Sequence, residues 1–191
     1  MTEKVVVTEK NLAVRVASDP TLMKFYSRLK DPHYRIPSEY EDDIKKLRGV
    51  KSTEKGVLVS KVTTPEDYQT QLAVLSAIQH CLDRIHEINT DLYIVHARWK
   101  ELFGAASRAI TLAYFDELNE LKDGVRKTVI SVALQPVQDG LDKIQALIDM
   151  GELTHKHLTA TNFNIKEGTE IITQYLSMFK FGSSVRVPTE V

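Results

Sequence analysis

The chain predicts an all-α protein: a long amphipathic, coiled-coil-like helix packed with shorter C-terminal helices, behind an irregular N-terminal arm. Three observations carry this. Apolar residues recur at heptad spacing for about six repeats between residues 65 and 123. A second pattern with alternating spacings of four and three follows Gly124. Alternation of the strand kind is confined to short stretches near the N-terminus.

The elements follow in chain order. Val5-Val6-Val7, and Leu12, Val14 and Val16 beyond Glu9-Lys10-Asn11, read as a short strand pair or an extended arm. Asp19-Pro20 opens a helix, with Asp as N-cap and Pro at the first helical position, and Leu22, Phe25, Tyr26 and Leu29 form its apolar face. Asp31-Pro32 ends it, because the residue before Pro is pushed out of the α region. Ser38 with Glu41 makes a capping box for a short helix carrying Ile44 and Leu47 and stopped at Gly49. Gly56-Val57-Leu58-Val59 reads as extended. Residues 1–63 therefore form an arm or cover.

Thr64-Pro65-Glu66-Asp67 opens the long helix, with an N-cap, a Pro at N1 and acids where the helix dipole favours them. Leu75, Leu82, Asn89, His96, Phe103 and Ile110 occupy one heptad column. Ile78, Ile85, Leu92, Trp99, Ala106 and Ala113 occupy the column three residues on. Cys81, Ile88, Val95, Leu102 and Ala109 widen the stripe. Unbroken to residue 123, such a helix spans on the order of 85–90 Å. It must bend near Gly104-Ala105-Ala106-Ser107 or protrude and pair with other subunits. The three-column stripe has more apolar surface than one chain's downstream helices can cover, so a homo-oligomer is expected, with Leu75, Ile78, Leu82, Ile85, Asn89, Leu92, His96, Trp99 and Phe103 as its seam. Asn89 and His96 are polar within that seam, a device that fixes register; a buried histidine is alternatively a pH switch.

Ile130, Leu134, Val137, Leu141, Ile144 and Ile148 mark a helix over about residues 125–150, interrupted near Gln135 by Pro136 and Gly140. Gly151 ends it and Thr159-Ala160-Thr161-Asn162 reads as a loop. Asn164 with Glu167 caps a closing helix over about residues 165–180, carrying Ile171, Ile172, Tyr175, Leu176 and Phe179. Residues 64–180 are the helical core and 181–191 a tail.

Composition narrows the function classes. The 191 residues are 42% apolar and 27% charged with a net charge of −1, so no global field favours nucleic acid or membrane. Locally the balance is uneven: residues 1–65 carry thirteen Lys and Arg against nine Asp and Glu, and residues 66–123 carry five against ten. Such asymmetry marks either an arm folded on an acidic helix or a binding arm. The N-terminus has no secretory pattern, no apolar run reaches the ~18 residues of a membrane span, and the single Cys81 suits a reducing compartment. The expected location is the cytoplasm, or the host cytoplasm for a viral protein.

Sites of chemistry are sparse. His155-Lys156-His157 places histidines two apart, off a common helix face, with no Cys or carboxylate completing a metal set. Cys81 lies on the apolar stripe, where cysteine behaves as a small hydrophobe. Gly-rich phosphate loops are absent. No enzyme, cofactor or metal is expected. The final Thr189-Glu190-Val191 matches the C-terminal ligand pattern of PDZ domains.

The last third, with a helix ending near Ile148-Asp149-Met150, then Asn162-Phe163-Asn164-Ile165-Lys166, then a closing helix with Ile171, resembles the C-terminal part of the T-even phage recombination mediator (UvsY-like) family. The long helix closing on Tyr114-Phe115 is similar in kind, so the resemblance covers about half the chain; residues 1–60 have no counterpart. It implies a small helical oligomer that binds single-stranded DNA and helps load a recombinase. The family's basic pair near the end of the long helix is not matched, since Ala109–Leu118 holds no Lys or Arg. Under this reading Arg98, Lys100, Arg108, Arg126, Lys127 and Lys166 contact phosphates. The alternative is an assembly, scaffold or virion adaptor subunit that binds no nucleic acid.

Overall fold

A computed structural model describes residues 9–50 and 65–182. All described regular structure is helical: α1 Glu9–Ala17, α2 Pro20–Arg28, a 3-10 turn Pro32–Tyr34, α3 Glu39–Arg48, α4 Pro65–Ala113, α5 Phe115–Asn119, α6 Asp123–Ala133 and α7 Gln135–Gly182. The all-α expectation, a long helix packed with shorter ones, is met. The chain divides into two compact units, Met1–Ser38 with Thr90–Asp149, and Glu39–Asn89 with Met150–Val191. Helices α4 and α7 contribute residues to both.

In the first unit α1 replaces the expected strand pair. Leu12, Ala13 and Val16 are buried and Val14 is 67% exposed. The buried spacing is therefore helical, and the apparent 12-14-16 alternation included a solvent-facing valine. Leu12, Val16, Leu22, Ala106, Ile110, Leu118, Val129 and Leu134 share one core, and α1 packs along α6. Helix α2 begins as expected: Asp19 accepts a hydrogen bond from the Thr21 amide at 2.7 Å, with Pro20 next. The Tyr26 hydroxyl donates to the Ala133 carbonyl. The next turn repeats the device, with Asp31 accepting from the His33 amide at 2.9 Å.

The long helix ends at Ala113, ten residues short of the expected Asp123. Tyr114 leaves the helical region at φ −118°, ψ 33°. A tertiary contact accompanies the break: its hydroxyl donates to Asp19 at 2.7 Å, and the Arg15 guanidinium lies 5.6 Å from its ring centre. Arg15 in turn pairs with Glu117 of α5 at 2.7 Å. Gly104-Ala105-Ala106-Ser107 lie inside α4, whose helical hydrogen bonding continues through them. The expected 125–150 helix is instead two, parted at Leu134 (φ −100°, ψ 11°). Pro136 thereby falls in the first turn of α7, where its missing N–H costs no hydrogen bond.

The second unit joins α3, the first half of α4 and the second half of α7. Tyr40 and Ile44 of α3, Ile78, Ile85 and Ile88 of α4, and Leu158, Ile165 and Ile172 of α7 are buried. Arg84 bridges Asp43 at 2.8 Å and lies 5.6 Å from the Tyr40 ring centre. Both carboxylate partners, Asp43 first and then Glu87, hold Arg84 firmly protonated.

Here the expected end at Gly151, the loop at Thr159-Ala160-Thr161-Asn162 and the cap at Asn164 are all corrected: α7 runs through them. The threonines are accommodated because Thr154 and Thr169 donate to their own helix, at Met150 and Ile165 carbonyls, both at 2.8 Å. Leu158, Ile165 and Ile172, seven apart and buried, supply the packing that overrides weak local propensity. Within 1–63, α1 and α2 bury Leu12, Val16 and Leu22 in the first unit and α3 buries Tyr40 and Ile44 in the second; Val5-Val6-Val7, Gly56-Val57-Leu58-Val59, the expected cap Thr64 and the tail with Thr189-Glu190-Val191 lie outside the described residues.

Candidate interaction surfaces

Seam residues sort by column. Ile78 and Ile85 in the second unit, and Leu92 in the first, are buried, as are Ile88, and Val95 with Leu102, of the widening column. Leu75, Leu82 and Asn89, and His96, Trp99 and Phe103, are half-buried. The buried centre of α4 therefore lies between the two columns led by Ile78 and Ile88, and the column holding Asn89 and His96 lies at its edge. Within each unit helices of this chain bury residues of that centre.

Two α4 side chains reach α7 backbone through glycines. In the first unit Trp99 packs so closely on Gly140 that a Cβ there would lie 1.9 Å from the indole. The indole N–H donates to the Tyr34 carbonyl at 2.9 Å. In the second unit the Asn89 Oδ1 occupies the place of a Gly151 Cβ. These pairings were missed. Their signal was the presence of glycines inside an apolar helical pattern, read as breaks when they provide close approach. Burial, and then the Lys100 charge, push the His96 imidazole below its usual pKa.

The six assigned cations do not form one group. In the first unit Arg98 donates to the His33 carbonyl at 3.1 Å, and Arg126 donates to the Leu118 carbonyl at 3.0 Å while lying 3.6 Å from Asp123. Lys100, Arg108 and Lys127 are exposed and pair with no carboxylate among the described residues. Lys166, also exposed and without a carboxylate partner among the described residues, belongs to the second unit.

No group of three His, Cys, Asp or Glu could hold a metal among the described residues. His157 is engaged with the Val50 carbonyl at 2.9 Å. Half-buried Cys81 lines a groove of about 250 Å³ with Val50, Thr70, Ala73, Val74, Ala77 and Ile78, an apolar wall without an acid or base. No described helix is long and apolar enough to cross a membrane. No family model, curated protein or solved structure matches the chain.

Proposed function

We propose that this is a non-enzymatic helical binding protein of the recombination-mediator kind, whose ligand is single-stranded DNA. The observation supporting it most is that Lys100, Arg108 and Lys127 of the first unit, three of the six assigned cations, are exposed and pair with no carboxylate among the described residues, as does Lys166 of the second. Unpaired surface cations keep their full charge for phosphates, and neutralising phosphates releases counterions from the strand. Arg98 and Arg126 act differently, orienting backbone carbonyls of their own unit. A recombinase partner belongs to the same proposal.

The test is fluorescence anisotropy with a labelled oligothymidine at low salt. The Lys100→Ala, Arg108→Ala, Lys127→Ala variant is expected to lose at least tenfold in affinity while keeping its helicity. Equal binding by the variant and the parent contradicts the assignment.

A second reading, an assembly or scaffold subunit, draws on other residues. Leu112 is 77% exposed and Phe115 is 55% exposed, three positions apart where α4 gives way to α5. Large apolar side chains of this kind anchor protein interfaces. Homo-oligomerisation is therefore proposed through such exposed groups rather than through the covered seam.

A further inference from the structure

Within the second unit both long helices repeat at seven residues. Leu75, Leu82 and Asn89 mark the repeat on α4, and Gly151, Leu158, Ile165 and Ile172 mark it on α7. The helices run antiparallel there: Tyr68 meets Thr173, with their hydroxyls 3.4 Å apart, and Asn89 meets Gly151. Two helices with the same repeat have competing pairings displaced by whole heptads, each of which buries an apolar row. Apolar burial alone does not choose among them.

We propose that Asn89, seated on the bare backbone of Gly151, is a register lock that selects one axial pairing of α4 and α7 in this unit. A Cβ on residue 151 would lie 2.0 Å from Asn89 Oδ1 and 3.0 Å from its Cγ. No side chain fits opposite Asn89 unless the helices separate. A displacement of one heptad brings up Leu158, which is fully buried and fills its own position.

Polarity acts in the same direction as shape. Asn89 Oδ1 is buried and has no hydrogen-bond partner. Opposite Gly151 the oxygen lies against bare backbone, whose Cα–H groups are weak donors. Opposite Leu158 it would meet only methyl groups. An apolar residue at position 89 would bury more comfortably in every register, so the asparagine discriminates rather than stabilises. Trp99 on Gly140 in the first unit shows the same large-on-glycine seat, there with an indole.

Two measurements test the lock. The first is a coupling experiment. Gly151→Ala is expected to lower the urea midpoint, and adding Asn89→Ala is expected to cancel most of that loss. Equal losses in both backgrounds overturn the seat on which the proposal rests. The second reads register directly by electron–electron double resonance. Nitroxides are attached through Ser76→Cys and Lys156→Cys in a Cys81→Ser background, both label sites being exposed in this unit. The parent is expected to give one narrow distance. The swapped variant Asn89→Ala, Gly151→Leu is expected to add a second population displaced by up to ~10 Å, the axial length of one heptad. A single unchanged distance overturns the register role. Should the swapped variant lose its helicity, the coupling experiment alone decides.

Discussion

Gly140 and Gly124 differ in what a methyl group would meet, and that contrast gives the sharpest residue-scale prediction. Trp99 fills the space at Gly140, whereas nothing lies within 4 Å of a Cβ at Gly124. Gly140→Ala should destabilise by about 1–3 kcal/mol through overpacking. Gly124→Ala, in the first turn of α6 without positive φ, should be neutral or stabilising by up to about 1 kcal/mol. Urea denaturation measures both, and equal effects would refute the Trp99 packing. His96 supplies a pH prediction. Burial, followed by Lys100, holds its folded pKa below the unfolded value, so the folded state binds fewer protons than the unfolded one. Its contribution to stability is full well above the unfolded pKa of about 6.5 and declines as pH falls through that value. The urea midpoint of the parent should therefore drop more between pH 7.5 and 5.5 than that of His96→Gln. A parallel drop in both removes His96 from the account.

Leu92 tests the element scale, because it is fully buried in the first unit at the centre of the α4 stripe. Leu92→Asp places an unpaired carboxylate there and should cost more than about 4 kcal/mol, read by circular dichroism as loss of helicity. Retained helicity and stability would show the stripe to be misassigned. The cap of α2 is a milder case: Asp19 accepts from both the Thr21 amide and the Tyr114 hydroxyl, and Asp19→Ala should cost about 1–2 kcal/mol by thermal melting. These elements also show where the sequence was legible. The Asp19-Pro20 start of α2 and the break near Gln135 follow from local chemistry, since caps and prolines act over a few residues. The Tyr114 break and the continuity of α7 do not. Tyr114 carries no breaker signal and contacts Asp19, 95 positions away, while Thr159-Ala160-Thr161-Asn162 has loop composition in a segment held helical by buried neighbours. Heptad spacing identified the buried stripe of α4 but not its centre, because adjacent columns differ by a rotation that only the partner helix resolves.

At the scale of the whole molecule, covering the α4 stripe with the chain's own helices changes what assembly would mean. Self-association would use exposed groups, so the Leu112→Ser, Phe115→Ser variant should lower the mass found by light scattering while leaving helicity unchanged. A monomeric parent would remove that part of the proposal. Ligand binding is independent of it and rests on charge. Only the exposed cations are available without breaking contacts inside a unit, and three of them neutralising phosphates sets the steepness of the salt dependence. The decisive measurement is the affinity for oligothymidine across a salt series from about 50 to 200 mM. A mediator using Lys100, Arg108 and Lys127 of the first unit gives a log–log slope of about −2, and each alanine substitution makes it shallower by about 0.7. A flat line, or no binding at the lowest salt, would contradict the nucleic-acid reading and leave the assembly subunit in its place.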